Sequence, residues 1–119
     1  VLRRRQAGTE IAGQPEIYEF AGWRLDLSRR DLRDPAGTYI DLSDGEYALL
    51  RCFVTQPQRV LSRDQLLDHA HGGNREIYDR AVDSQVSRLR RKLNERSEAE
   101  LIRTIRNEGY MLLPSVRRL

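Results

Sequence analysis

The chain has 119 residues, of which 39% are hydrophobic and 33% are charged, so it has room for one globular domain with a modest core. No apolar run approaches the length of a membrane span, and the single cysteine, Cys52, excludes an internal disulfide and indicates a reducing, cytoplasmic location. The net charge is +3, and Lys92 is the single lysine among many arginines. The planar fork of arginine suits phosphate and guanine, but genome base composition can also favour arginine over lysine.

The first part of the chain predicts a linker followed by short strands. Residues 1–15 are interpreted as the end of a preceding domain and its linker. Residues 16–42 carry β-favouring runs, in which Trp23 and Leu25 alternate with polar residues as in a half-buried strand. The sequence Asp34-Pro-Ala-Gly37 has proline and glycine where a type I turn prefers them. This part therefore predicts an antiparallel sheet.

Two helices with matching start signals follow the strands. Ser43-Asp-Gly-Glu46 and Ser62-Arg-Asp-Gln65 are both capping boxes, in which a hydroxyl and an acidic or amide side chain satisfy the first free amides. Pro57 is expected to end the first helix, and Gly72-Gly-Asn74 the second. A loop then runs to about Asp79, which is a candidate N-cap for a third helix.

The third helix has two different faces. An apolar stripe forms at i, i+4, i+7 and i+11 from Val82, Val86, Leu89 and Leu93. Arginines and hydroxyl residues occupy the opposite side, and no acid interrupts the segment from Val86 to Lys92. Such a helix can dock on a core and present donors outward, as reading of the DNA major groove requires. A merely solvated charged face is the alternative interpretation.

The chain ends with a predicted β-hairpin. β-Favouring runs flank Asn107-Glu-Gly109, a three-residue turn in which Gly109 is available for a left-handed backbone. Arg103 and Arg106 are placed on its first strand, and residues 115–119 are assigned to a tail after a domain of residues 16–114. A helix-turn-helix followed by a hairpin predicts an α+β winged helix-turn-helix with an N-terminal antiparallel sheet, three helices and a wing.

Three segments together resemble one protein family. They are Leu61-Ser-Arg-Asp-Gln-Leu66, the stretch Arg80-Ala-Val-Asp-Ser-Gln-Val-Ser-Arg-Leu-Arg-Arg-Lys-Leu93, and Ile102-Arg-Thr-Ile-Arg-Asn-Glu-Gly-Tyr110. In order and spacing they resemble the OmpR/PhoB family, the C-terminal DNA-binding domains of bacterial two-component response regulators. The resemblance covers roughly residues 16–114.

The resemblance implies a mechanism of binding without catalysis. The helix holding Arg88 would lie in the major groove, where Arg88 and Ser84 reach base edges, and Arg106 would enter the minor groove. The other positions would hold phosphates, add polar contacts or shape the wing turn. The implied DNA-binding residues are Arg80, Ser84, Gln85, Ser87, Arg88, Arg91, Thr104, Arg106 and Asn107.

Several positions depart from the family pattern or have a second interpretation. Ser84 replaces a residue that is often apolar, and Asn107 stands where many members have glycine. Arg90 lies at the edge of the apolar stripe, so internal pairing with a carboxylate such as Asp83 is preferred over DNA contact. Asp83 is expected to orient its neighbours.

The loop before the third helix is a second functional candidate, because in the family this region can face RNA polymerase. The candidate contacts are Asn74, Arg75, Ile77 and Tyr78. The alternative is that Ile77 and Tyr78 fold onto the core, which is favoured for at least one of them.

The sequence contains no motif for catalysis or for a cofactor. His69 and His71 lack the further ligands of a metal site, so neither an enzyme nor a bound metal is expected. The expected partners are double-stranded DNA with tandem half-sites, bound as a dimer, together with a receiver domain and a sensor kinase outside this chain, and no membrane. The alternative function is a winged-helix protein-interaction module, which would expose apolar residues on the outer helix face. Recognition of double-stranded RNA is a third option that no sequence feature favours over DNA.

Overall fold

A computed structural model describes residues 16–71 and 79–119, with only the backbone described at 69–71 and 79–81. Within these ranges the chain forms seven strands and three helices. Their bounds, in chain order, are β1 Ile17–Phe20, β2 Trp23–Asp26, β3 Asp31–Arg33, β4 Tyr39–Ile40, α1 Asp44–Thr55, α2 Arg63–His71, α3 Asp79–Asn94, β5 Ile102–Ile105, β6 Gly109–Leu112 and β7 Arg117–Arg118. None of the described helices is long and apolar enough to cross a membrane.

The first four strands form the predicted antiparallel sheet. The strand order is β4-β3-β2-β1-β7, and β1 pairs with β2 so that Phe20 faces Trp23. Ala21 and Gly22 connect these strands with φ values of 49° and 86°, as a tight hairpin turn requires. The turn at Asp34 is also confirmed, because the Gly37 amide donates to the Asp34 carbonyl at 2.8 Å. Strand β3 is an addition to the predicted set.

The C-terminal residues belong to the sheet, contrary to the prediction of a tail at 115–119. Strand β7 pairs antiparallel with β1, with Arg117 opposite Glu19 and Arg118 opposite Tyr18. The Leu119 amide also donates to the Ile17 carbonyl at 2.8 Å. Two consecutive arginines give no apolar alternation, so the sequence pattern carried no indication of this edge strand.

Both predicted capping boxes are present. In α1 the Ser43 amide donates to Glu46 Oε1 at 2.9 Å, and the Glu46 amide donates to Ser43 Oγ at 3.2 Å. In α2 the corresponding distances between Ser62 and Gln65 are 2.9 and 3.1 Å. Helix α1 ends at Thr55, two residues before Pro57, as expected. The predicted end of α2 at residues 72–74 lies outside the described residues.

The apolar stripe of α3 is the centre of the core. Its four side chains are fully buried and pack in one cluster with residues of the sheet, of α1 and α2 and of the hairpin. Full burial of each such side chain contributes roughly 1.5–3 kcal/mol, so the stripe fixes which side of α3 faces outward. The stripe consists of Val82, Val86, Leu89 and Leu93.

The C-terminal hairpin is confirmed, but its turn lies one residue earlier than predicted. Ile105 pairs with Gly109, so Arg106 stands in the turn and not on the first strand. Asn107, with φ 65°, takes the left-handed position assigned to glycine, which an asparagine tolerates. Gly109 is needed for a different reason: an added Cβ would lie 2.0 Å from the Leu61 carbonyl oxygen.

The hairpin is joined to the start of α2. Leu61 and Tyr110 form an antiparallel bridge with backbone hydrogen bonds of 2.8 and 3.0 Å. The element order and this arrangement confirm the predicted α+β winged helix-turn-helix, and the hairpin β5–β6 is called the wing below.

Candidate nucleic-acid interface

The outer face of α3 carries four exposed polar side chains. Ser84, Ser87, Arg88 and Arg91 all lie opposite the buried stripe, as the helical spacing predicted. No large apolar side chain is exposed at any position of α3 from 82 to 94. The face therefore presents hydroxyl and guanidinium donors to solvent.

One flank of α3 is held by α1. Lys92 Nζ donates to Glu46 Oε1 at 2.6 Å and to the Asp41 carbonyl at 2.8 Å. Burial opposes ionisation of the Glu46 carboxylate, but its hydrogen bonds with Lys92 and Ser43 outweigh that effect and lower its pKa below the ordinary 4.5. Lys92 is thus a structural cation and is not available to a ligand.

Gln85 lies on this same flank, apart from the other residues predicted to contact DNA. Its Oε1 is buried without a hydrogen-bond partner. The side chain packs against Gly45 so closely that an added Cβ at Gly45 would lie 2.0 Å from Oε1. The structure therefore gives Gln85 a packing role between α3 and α1, where the family resemblance had implied a DNA contact.

The opposite flank of α3 is held by α2 and the wing. Asp83 Oδ1 accepts from Arg63 Nε at 2.8 Å and from the Tyr110 hydroxyl at 2.5 Å, which confirms that Asp83 orients its neighbours. Arg90 makes an internal contact as predicted, but with a different partner: its Nη2 donates to Thr104 Oγ1 at 3.1 Å. Asp83 is already occupied by Arg63, which explains the change.

The wing presents its own exposed residues beside α3. Arg106, Asn107 and Glu108 form its exposed tip, and Thr104 is exposed near the contact with Arg90. Glu108 places a negative charge at this tip. Arg103 is paired with Glu100 at 3.0 Å, so it adds less free positive charge than Arg106.

Three arginines of this surface have no partner among the residues that the structure describes. Within the described parts of the chain, neither an ion pair nor a hydrogen bond is formed by the side chains of Arg88, Arg91 or Arg106. Unpaired exposed guanidinium groups are ready donors for phosphate oxygens and base edges. We call the set Ser84, Ser87, Arg88, Arg91, Thr104 and Arg106 the basic face.

The remaining predicted positions are not described in side-chain detail. Arg80 lies within α3, where only its backbone is described. The candidate polymerase contacts Asn74, Arg75, Ile77 and Tyr78 lie outside the described residues.

Sequence reasoning missed the residues that support this surface. Tyr110, Arg63 and Glu46 were seen as parts of motifs or caps, yet each also contacts α3. The only sequence indication was Asp83, the one acid of α3 after its first residue, Asp79.

The described residues offer no site for metal or thiolate chemistry. No group of three or more potential metal-ligating side chains occurs among them. Cys52 is buried, and burial raises the pKa of its thiol to about 11, so it stays protonated at neutral pH. The fold and the basic face are those of a winged-helix DNA-binding domain.

The family match agrees with this class. Residues 37–112 match the family described as "Transcriptional regulatory protein, C terminal". The chain therefore belongs to this family, which confirms the resemblance drawn from the sequence.

Two curated relatives are regulatory proteins of bacteria. The regulatory protein VirG of Agrobacterium fabrum is 43% identical over 94 residues, which are 78% of this chain and 37% of that protein. The phosphate regulon regulator PhoB of Escherichia coli is 38% identical over 96 residues, 80% of this chain and 41% of that protein. The chain thus spans well under two thirds of the length of these relatives.

A solved structure shows the same fold on DNA. The RstA DNA-binding domain of Klebsiella pneumoniae, in complex with the RstA box, is 30% identical with a TM-score of 0.68. The match covers 82% of this chain and 96% of that domain.

Proposed function

We propose that this domain binds specific double-stranded DNA sequences as the effector domain of a response regulator that controls transcription. The observation that carries the proposal is the basic face, whose arginines on α3 and at the wing tip have no internal partner among the described residues. The likeness to a domain solved in complex with its DNA box supports the same conclusion.

The proposed mechanism divides the basic face between the two DNA grooves. Helix α3 enters the major groove, which is wide enough for a helix, and Arg88 makes paired hydrogen bonds to a guanine while Ser84 contacts a neighbouring base edge. Arg106 at the wing tip enters the minor groove, where narrow A·T-rich segments concentrate negative potential.

The phosphate contacts set the position of the domain on the duplex. We assign them to Ser87 and Arg91 on α3, to Arg80 at its start, and to Thr104 on the wing. Asn107 supports the turn that carries Arg106. Gln85 is assigned to packing against α1, so it is not among the proposed contacts.

The protein-interaction alternative receives less support. An interaction surface would expose apolar side chains on the outer side of α3. The large exposed apolar residues among those described are Tyr39, Val60 and Leu119, and none of them lies on α3.

The assembly and partners follow from the small size of one module. A single module buries only about 600–1,000 Å² of its own surface on DNA, so we propose that two copies bind tandem half-sites as a dimer. The relatives are longer than this chain. We propose that a receiver domain, which a sensor kinase phosphorylates, precedes this domain and that the whole protein acts in the cytoplasm. Contact of residues 74–78 with RNA polymerase is part of the same proposal.

The test is a selection of bound duplexes from a random DNA pool, followed by titration of the enriched duplex at several salt concentrations. We expect an enriched direct repeat and a steep decrease of affinity with salt. An unenriched pool, with weak binding to every duplex, would sink the proposal. It would leave a protein partner as the alternative.

A further inference from the structure

One cluster of side chains joins the three elements that form the proposed DNA surface. Asp83 on α3 accepts hydrogen bonds from Arg63 on α2 and from the hydroxyl of Tyr110 on β6, at 2.8 and 2.5 Å. We call Arg63, Asp83 and Tyr110 the helix–wing joint. Its members lie far apart in sequence, so it exists only in the folded domain.

The joint supplies a link between wing and recognition helix that the backbone does not. The backbone bridge between Leu61 and Tyr110 fastens the wing to the start of α2, and Gly109 permits that close approach. The direct links between the wing and α3 are side-chain hydrogen bonds: Tyr110 to Asp83, and Arg90 to Thr104. The buried side chains of Ile102 and Leu112 hold the wing root on the core, and these two side-chain bonds set the fine orientation of the hairpin relative to α3.

Charge and burial hold the Tyr110 hydroxyl in one orientation. The residue is 5% exposed, and the guanidinium carbons of Arg63 and Arg90 lie 5.9 and 5.7 Å from the centre of its ring. Burial and the Asp83 carboxylate raise the pKa of Tyr110, so the phenol remains a donor at neutral pH. The donor end of the bond is therefore shielded from water, whereas the side chain of Asp83 remains 43% exposed.

The position of the wing root determines where the wing tip meets DNA. Tyr110 is paired with Thr104, so Arg106 lies two residues beyond the root, roughly 7 Å along the strand direction. A pivot of about 10° at the root would then move the backbone of the tip by roughly 1 Å, which is enough to stretch a directed hydrogen bond beyond its normal length.

We propose that Tyr110 is a positioning residue: its hydrogen bond to Asp83 fixes the wing relative to α3, so that the Arg106 contact depends on it. This inference rests on the proposed DNA-binding function. It assigns no DNA contact to the Tyr110 hydroxyl itself.

The first test is a double-mutant cycle on the duplex enriched from the random pool. Tyr110→Phe keeps the ring between the two arginines and removes only the hydroxyl. We expect Tyr110→Phe and Arg106→Ala each to weaken binding by about three- to tenfold. The affinity of the double variant should lie within about twofold of the affinity of the single variant that binds less tightly. We also expect Tyr110→Phe to lose the preference for A·T pairs at the wing position and to keep the bases read by Arg88.

Tyr47→Phe is the matched control. The Tyr47 hydroxyl donates to the Leu27 carbonyl at 3.2 Å, so this change also removes a part-buried phenol hydrogen bond, but on the sheet side of the domain. It should leave the effect of Arg106→Ala unchanged. If it reduces that effect as Tyr110→Phe does, general destabilisation is the cause and the proposal is overturned. Independent, multiplying effects of Tyr110→Phe and Arg106→Ala also overturn it.

The second test uses the free 119-residue chain and needs no DNA. Residual dipolar couplings of the backbone amides in β5 and β6, referenced to α3, report the orientation of the wing. Tyr110→Phe should reorient the wing or broaden its distribution, and Tyr47→Phe should not. If the pool yields no enriched sequence, the proposed function fails, yet the couplings still test whether the helix–wing joint orients the wing. An unchanged wing orientation in Tyr110→Phe overturns the positioning role of Tyr110.

Discussion

Arg24 and Arg33 on the N-terminal sheet have the same side chain as the arginines of the basic face but opposite surroundings. On the sheet, Arg24 pairs with Glu19 at 3.5 Å and Arg33 with Asp31 at 3.3 Å. On the basic face, Arg88 has no such acid among the described residues. Exposed ion pairs of this kind contribute little stability, but each one cancels the charge that would attract a phosphate.

This difference shows that the number of basic residues does not mark the DNA surface. Arginine is abundant along the whole chain, and among the described residues Arg29, Arg51, Arg59 and Arg118 are also without an ion pair. What distinguishes Arg88, Arg91 and Arg106 is that the fold groups them, with no partner in the described parts of the chain, on the outer side of α3 and the wing tip beside it. An unpaired guanidinium exchanges water and counterions for phosphate, whereas a paired one must first lose its carboxylate. Four substitutions test this comparison.

The largest effect is expected for Arg88→Ala on the basic face. Loss of paired bonds to a guanine should weaken binding of the selected duplex by roughly 10- to 100-fold and relax the base preference at one position. Titration against the selected duplex and its single-base variants measures both. An equal loss on all duplexes would show that Arg88 contacts phosphate only.

The next effect concerns Glu46, the buried carboxylate that pairs with Lys92 of α3. Glu46→Gln keeps a cap acceptor but removes the charge facing Lys92, and it should lower the free energy of unfolding by about 2 kcal/mol at neutral pH. Urea unfolding monitored by the fluorescence of Trp23 measures the change.

The pH dependence of this variant has a definite sign. Because the folded-state pKa of Glu46 is lowered, its stabilising effect is present above the ordinary value of 4.5 and is lost as the pH falls through the folded-state pKa. The difference between the wild type and Glu46→Gln should therefore shrink in acid below that value. A difference that is constant with pH would contradict the assigned charge pairing.

A smaller effect is expected for Arg91→Ala. As a phosphate contact, Arg91 should contribute equally to all duplexes, so affinity should fall several-fold without a change in base preference. The slope of log affinity against log salt should decrease by about one unit. A changed base preference with an unchanged slope would instead place Arg91 on a base edge.

The smallest effect is expected for Arg24→Ala on the sheet. The pair with Glu19 is exposed, so the free energy of unfolding should change by no more than about 0.5–1 kcal/mol. DNA affinity and its salt slope should equal those of the wild type in the same titration. A decrease comparable to that of Arg91→Ala would remove the contrast between the two regions.

Much of the candidate site was predictable because its determinants are local. Ser84, Ser87, Arg88 and Arg91 share one side of α3 by helical spacing, and the stripe containing Val82 decides that this side faces outward. Gln85 was assigned to DNA by the family resemblance alone; it lies three residues after Val82, beside the stripe, and the fold packs it against Gly45. Periodicity gives the angle of a residue on its helix but not the neighbour that packs beside it.

The sequence by itself determined the features that depend on residues close along the chain. The capping boxes at Ser43 and Ser62 join groups three residues apart, and the two faces of α3 follow from a period of 3.6. Only the tertiary structure decided the pairs that join distant segments. The Tyr110–Asp83 bond spans 27 residues and the Lys92–Glu46 bond spans 46. These pairs form only after the core has packed and brought the segments together, so no local pattern records which acid each donor meets.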